Sequence, residues 1–194
     1  MTNRQPGINN IGAEEPDRSA SPSSVRRVPL LIVAELPADV FAWADRLRRT
    51  HYPAERNRLG AHATLFHGLP PSAEQAVTGL LAELAAERPP EARISGLMDL
   101  GGGTAFAVES PEMAAMHAEM AERLHGLIQQ KDQRPLRLHI TVQNKVPRAQ
   151  ARTLQAELSR SFAPQTFRFR GFGLYGWTGD LWQQLRVFPF RGQK

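Results

Sequence analysis

Short β-branched apolar runs alternate along the chain with longer stretches in which apolar residues recur every three or four positions. RVPLLIVAEL (27–36) reads as a buried strand. Pro37 then opens PADVFAWADRLRR, where Val40, Phe41, Ala44 and Leu47 fall at helical spacing. HATLFHGL (62–69) predicts a second strand, and PPSAEQAVTGLLAELAAE (70–87) a helix with Ser72 as its N-cap. ARISGLMDL, the Gly101-Gly102-Gly103 turn and TAFAVES predict a hairpin, and residues 111–130 a long helix. LRLHITVQN is the next strand, PRAQARTLQAELSRSF the next helix, and TFRFRGFGLYGW with LWQQLRVFPF a closing hairpin.

The order of elements repeats. At an offset of 74, Glu35 and Pro37 fall on Glu109 and Pro111. At 77, His62, Thr64 and Pro70 fall on His139, Thr141 and Pro147, and Val77 and Leu81 fall on Leu154 and Leu158. At 75, Arg93 and Gly96 fall on Arg168 and Gly171. Offsets that drift by three residues are what loop insertions leave behind. A duplicated β-α-β-α-β unit follows, its halves packed about a pseudo-twofold axis.

Composition narrows the class. The 194 residues are 41% hydrophobic, enough for one domain with a core, expected over residues 28–194. Residues 1–27 are rich in Gly, Pro, Ser, Asn and charge and read as a disordered tail without the apolar stretch of a signal peptide. No run approaches the roughly 20 apolar residues of a membrane helix. With no cysteine there is no disulfide framework and no thiol nucleophile. A cytoplasmic chain with no membrane contact is expected; the sequence carries no sign of oligomeric state, and a monomer is taken as the expectation.

The net charge of +5 is uneven. Residues 28–130 carry 8 basic and 13 acidic side chains, net −5, whereas residues 131–194 carry 12 basic and 3 acidic, net +9. A basic C-terminal half suits a polyanionic partner such as RNA, because pairing of Lys and Arg with phosphate drives sequence-independent binding.

HATLFH (62–67) and HITVQN (139–144) each set a histidine two residues before a threonine. Six histidines and nine threonines would supply well under one such triplet by chance, and these two lie at equivalent places in the duplication. Side chains at i, i+2 and i+4 of a strand share a face. His62, Thr64 and Phe66 then point one way, and His139, Thr141 and Gln143 do likewise in the other half. A twofold relation brings the two faces across a groove. In-line cleavage of a phosphodiester needs a base on the attacking side and an acid on the leaving side. Histidine serves either role near neutrality, and threonine hydroxyls donate to the non-bridging oxygens, where charge accumulates.

HATL and HITV resemble the paired H-x-T-x motifs of the two-histidine phosphoesterase superfamily, in particular its bacterial 2′-5′ RNA ligase and RNA cyclic phosphodiesterase branch. The resemblance covers residues 28–190. It implies an α+β fold: a single bilobal domain of two pseudo-twofold halves, antiparallel sheets lining a central groove with helices outside. It implies His62 and His139 as the acid/base pair and Thr64 and Thr141 as phosphate-binding groups. The implied reaction opens 2′,3′-cyclic phosphate ends of RNA or nucleotides to 2′-phosphates, without metal or other cofactor. A 5′-hydroxyl in place of water would join RNA ends by a 2′-5′ bond. The residues leave open which histidine is the base; the resemblance points to His139.

Other residues are weighed against plainer roles. Phe66 and Gln143 share the motif faces and would line a base or ribose subsite or simply pack. Arg137 and Lys145 flank His139 at i−2 and i+6 and would reach phosphate or end the strand in solvent. Tyr175 and Trp177 would stack a base or join the core. His67, five positions after His62, faces away from it and reads as a strand-end polar residue. His51, His117 and His125 read as surface or boundary residues. The glycine triplet lacks the lysine and hydroxyl residue of a phosphate loop. Two other readings stand beside the enzyme: a non-catalytic RNA-binding module, and a phosphodiesterase for a small cyclic phosphate such as ADP-ribose cyclic phosphate.

Overall fold

The computed structural model describes residues 29–192; the tail expected over 1–27 lies outside them. Strands β1 (Leu30–Glu35), β2 (Ala63–Leu69), β3 (Glu91–Asp99), β4 (Thr104–Glu109), β5 (His139–Gln143), β6 (Gln165–Arg168), β7 (Gly171–Trp177) and β8 (Trp182–Pro189) form one sheet. Helices α1 (Ala38–His51), α2 (Glu74–Leu84), α3 (Pro111–Arg123) and α4 (Arg148–Ser161) accompany it. The strand order is β6-β3-β4-β5-β2-β1-β7-β8 and every pairing is antiparallel. The fold is α+β.

That order is symmetric about its middle. β2 and β5 carry the two His-x-Thr motifs and lie side by side at the centre, flanked by β1 and β4, then β7 and β3, then β8 and β6. The duplication therefore appears as two four-stranded halves. They meet at a narrow seam, where Ala63 with Ile140 is the only registered pair among the described residues.

One face of the sheet is the core. Leu30, Ile32 and Ala34 of β1, Phe106 and Val108 of β4, and Ile140 and Val142 of β5 form one buried cluster with Val40 and Ala44 of α1, Val77, Leu80, Leu81 and Leu84 of α2, and Met113 and Met120 of α3. His139 and Thr141 of β5 and Thr64 of β2, which alternate with buried residues, are only partly buried and face the other way.

Several elements depart from expectation. Residues 71–73 form a short 3-10 turn, so α2 begins at Glu74 and Ser72 caps nothing. α3 is capped by Ser110, whose Oγ accepts the Met113 N–H at 3.3 Å, and it stops well before residue 130, ahead of Gly126 at φ 81°. The closing hairpin is only β7–β8. Residues 165–168 lie on the far edge beside β3, and the next two residues donate to Pro90 O and Glu35 O, which lie in different halves. The register shift beside Gly96 in β3 thus has, in the second half, a full break as its counterpart at Gly171.

α1 is rotated from the face its apolar residues suggested. Phe41 is exposed, and Val40, Ala44, Asp45 and Arg48 point inward. A buried aspartate and a buried arginine on one helix require a reason, and the site supplies it.

Candidate active site

The seam register fixes the central geometry. Ala63 opposite Ile140 in an antiparallel pair sets His62 opposite Thr141 and Thr64 opposite His139. All four side chains fall on the face away from the core, since Ala63 and Ile140 are fully buried. His62 and His139 are then diagonal neighbours, roughly 7–8 Å apart at the backbone, and so are the threonines. The four side chains line one cavity of about 750 Å³.

The two histidines are held alike. His62 Nδ1 lies 2.7 Å from Gly60 O, and His139 Nδ1 lies 2.6 Å from Arg137 O, each a carbonyl two residues earlier. A carbonyl only accepts, so each Nδ1 carries a proton and donates, and Nε2 is the nitrogen left for the groove. No hydrogen bond among the described residues engages the hydroxyl of Thr64 or Thr141.

α1 fixes the His62 side of the site. Asp45 Oδ1 accepts the Ala61 N–H at 3.0 Å, and Asp45 Oδ2 pairs with Arg49 at 2.7 Å. Arg48 Nε donates to Asn57 Oδ1 at 2.8 Å and Leu59 O at 3.0 Å, while Nη1 donates to Thr141 O at 2.8 Å. The guanidinium also lies over the Tyr52 ring, 4.2 Å from its centroid. Arg48 therefore ties the loop before His62 to the strand bearing Thr141, across a seam where the two strands barely pair. Burial, with the Arg48 charge adding to it, pushes the His62 imidazole down to about 4. His62 is neutral at neutral pH.

The model of the 2′-5′ RNA ligase superfamily matches residues 36–181. The chain belongs to this superfamily. The resemblance carried by HATL and HITV is thereby borne out at the level of the family. No curated protein matches the chain in sequence. Solved structures share the fold of this superfamily member at low identity. A protein from Thermus thermophilus matches with a TM-score of 0.59 at 18% identity, over 86% of this chain and all of that one. A phosphoesterase matches with a TM-score of 0.56 at 19%, over 87% of this chain and all of that one. E. coli LigT complexed with 3′-AMP matches with a TM-score of 0.54 at 18%, over 85% of this chain and 99% of that one.

Five other residues expected near the site of this superfamily member lie elsewhere. Register shifts on β2, at its pairing with Ile32 and Val33, break the two-residue alternation. Phe66 is thereby turned into the core at 0% exposure, stacked on His117 with ring centroids 4.4 Å apart. His117 is accordingly buried, not at the surface. The same shifts carry His67 onto the cavity wall, against the expectation that it faces away from His62. Gln143 is 1% exposed, where its Oε1 accepts the Thr104 hydroxyl at 3.3 Å beside α4. Lys145 is exposed in the turn after β5 at φ 61°, and Asn144 lines the cavity in its place. Arg137 is exposed and its carbonyl, not its guanidinium, serves His139. Tyr175 donates to Glu35 Oε1 at 3.0 Å and burial keeps its phenol protonated; Trp177, two residues on, lines the cavity with Trp182.

The sequence pattern did not point to Arg48, Tyr52, Arg56, Arg58 or Trp182, all on the cavity wall. Arg48 left a signal: with Val40 and Ala44 it completes an i, i+4, i+8 row that is otherwise apolar. The wall's arginines, Arg48, Arg56 and Arg58, come from the acidic half of the sequence, and among the described residues no Lys or Arg of the basic C-terminal part joins them.

Proposed function

We propose that the protein is a phosphoesterase that opens 2′,3′-cyclic phosphate ends of RNA or nucleotides to 2′-phosphates, using His62 and His139 as the proton carriers. The observation that carries this reading is the matched Nδ1-to-carbonyl bonding of the two histidines, which leaves both Nε2 atoms to one groove. The nucleotide class is supported by LigT, of like fold, crystallised with 3′-AMP.

His62, neutral at neutral pH, takes the proton of the attacking water on Nε2. This reverses the assignment that the resemblance suggested. As the water oxygen bonds to phosphorus, the bond from phosphorus to the 3′-oxygen breaks, and His139 Nε2–H gives its proton to that oxygen. The Thr64 and Thr141 hydroxyls donate to the non-bridging oxygens. Proton exchange with solvent resets the pair. A 5′-hydroxyl in the place of water would leave a 2′-5′ bond by the same transfers. The ring strain of the cyclic ester supplies the driving force, so no nucleotide cofactor enters. Trp177 and Trp182, with ring centroids 5.4 Å apart, offer apolar faces to a base.

The test is incubation of adenosine 2′,3′-cyclic phosphate with the protein in EDTA. Accumulation of the 2′-phosphate is expected. No product, the 3′-phosphate, or loss of turnover on chelation would each contradict the reading.

A further inference from the structure

The proposed chemistry uses two histidines, yet a third lines the same cavity. His67 sits on β2 three residues beyond Thr64, a bulged stretch of roughly 7–10 Å. It is not free to swing. Asp132, from the short turn before β5, accepts the His67 backbone N–H at 2.8 Å with Oδ2 and bonds His67 Nδ1 at 2.8 Å with Oδ1. The carboxylate is 5% exposed while the imidazole is 47% exposed, so the anion is buried behind the ring and the ring meets the cavity. Next to it, Gln129 Nε2 donates to Gly68 O at 3.0 Å. Gly68 has φ 63°, a left-handed conformation that favours glycine, and it lets the Gln129 amide approach its backbone closely.

The second half holds no counterpart. The residue related to His67 by the 77-residue offset is Asn144, which also lines the cavity. The acid/base pair is duplicated and this clasp is not, so it marks one end of the groove as different from the other. That end lies beyond the Thr64–His139 pair, away from Thr141.

Resting on the reading proposed above, we infer that His67, held by Asp132, binds the phosphate that neighbours the cyclic one, the first phosphodiester of a strand. An imidazolium between two anions is satisfied at both nitrogens, with Nδ1–H donated to Asp132 and Nε2–H to the incoming phosphate. The strand between Thr64 and His67, roughly 7–10 Å at the backbone, is comparable in length to one nucleotide unit. His67 is then a specificity residue that favours RNA ends over mononucleotides, and Asp132 is a positioning residue acting through it.

The test compares adenosine 2′,3′-cyclic phosphate, which has no neighbouring phosphate, with a dinucleotide ending in a 2′,3′-cyclic phosphate. The wild type is expected to favour the dinucleotide through KM. His67→Ala, a change at a half-exposed side chain, is expected to cut kcat/KM on the dinucleotide about tenfold more than on the mononucleotide, mainly in KM. Asp132→Asn should move the same ratio in the same direction, and a purely structural role would lower both substrates together. Equal losses on the two substrates, or an unchanged preference, overturn the inference while leaving the proposed activity standing. A wild type that turns over neither substrate removes the activity itself, and the inference with it.

Discussion

At the scale of single residues, the site divides its two imidazoles by environment. His62 lies against Arg48 in the closed part of the seam, and burial depresses its protonation to about 4. The pH profile of kcat/KM reports groups of the free enzyme, so its acid limb should fall near pH 4. Arg48→Met removes the neighbouring charge and keeps much of the apolar stem, and the limb should then move up toward 6.5. An unmoved limb would mean that another group sets it. The same depression affects stability. Between pH 6.5 and about 4 the unfolded chain binds a proton at His62 that the folded one refuses, so stability falls with pH across that window. Burial lowers His117 as well and acts in the same sense. His62→Ala should recover on the order of 2 kcal/mol of that acid-side loss, read as a flatter dependence of unfolding midpoint on pH.

At the scale of elements, α1 is the member that builds the site, although it bears none of the proposed catalytic groups. Its Asp45 and Arg48 satisfy the Ala61 N–H and the Leu59 and Thr141 carbonyls, backbone groups that the broken strand pairing leaves without partners. Arg48→Met should therefore cost about 2 kcal/mol, because half-buried acceptors lose their donor, and denaturant unfolding would measure it. The elements themselves were legible: alternating strand and helix patterns placed all four helices and most strands, and the symmetric strand order agrees with the pseudo-twofold halves expected from the duplication. What escaped the pattern was local breakage of periodicity. Phe66 and His67 exchanged faces because the register shifts on β2 are invisible to a two-residue period. Phe41 and Arg48 exchanged roles because hydrophobicity alone ranks a phenylalanine inward, whereas three acceptors at the seam draw the arginine there. The break between β6 and β7 depended on pairing partners more than 70 residues away. The histidines and threonines were found because their signal is chemical and repeated, and Trp182 was not because a lone aromatic in a hairpin carries no such mark.

At the scale of the molecule, charge along the sequence does not map onto charge at the cavity. The C-terminal half is net +9, yet the arginines on the wall are Arg48, Arg56 and Arg58 from the half that is net −5. RNA ends should therefore be held by the earlier arginines. Replacing Arg56 and Arg58 with Ala should weaken binding of a cyclic-phosphate-ended oligonucleotide. It should also lower the slope of log affinity against log salt by about 0.7 for each phosphate that is no longer neutralised. Arg160→Ala, on the exposed face of α4, should leave that slope as it is.

The central claim is that two imidazoles contributed by the two halves of one duplicated chain act on a single phosphorus atom. Its most direct measurement is kcat on adenosine 2′,3′-cyclic phosphate for the wild type, His62→Ala, His139→Ala and the double variant, each checked for unaltered folding at neutral pH. Each single change should lower kcat by about 10²–10⁴-fold, and the double variant should be little worse than either, because the two groups serve one step. A single variant that keeps the wild-type rate, or losses that multiply in the double variant, would contradict the account.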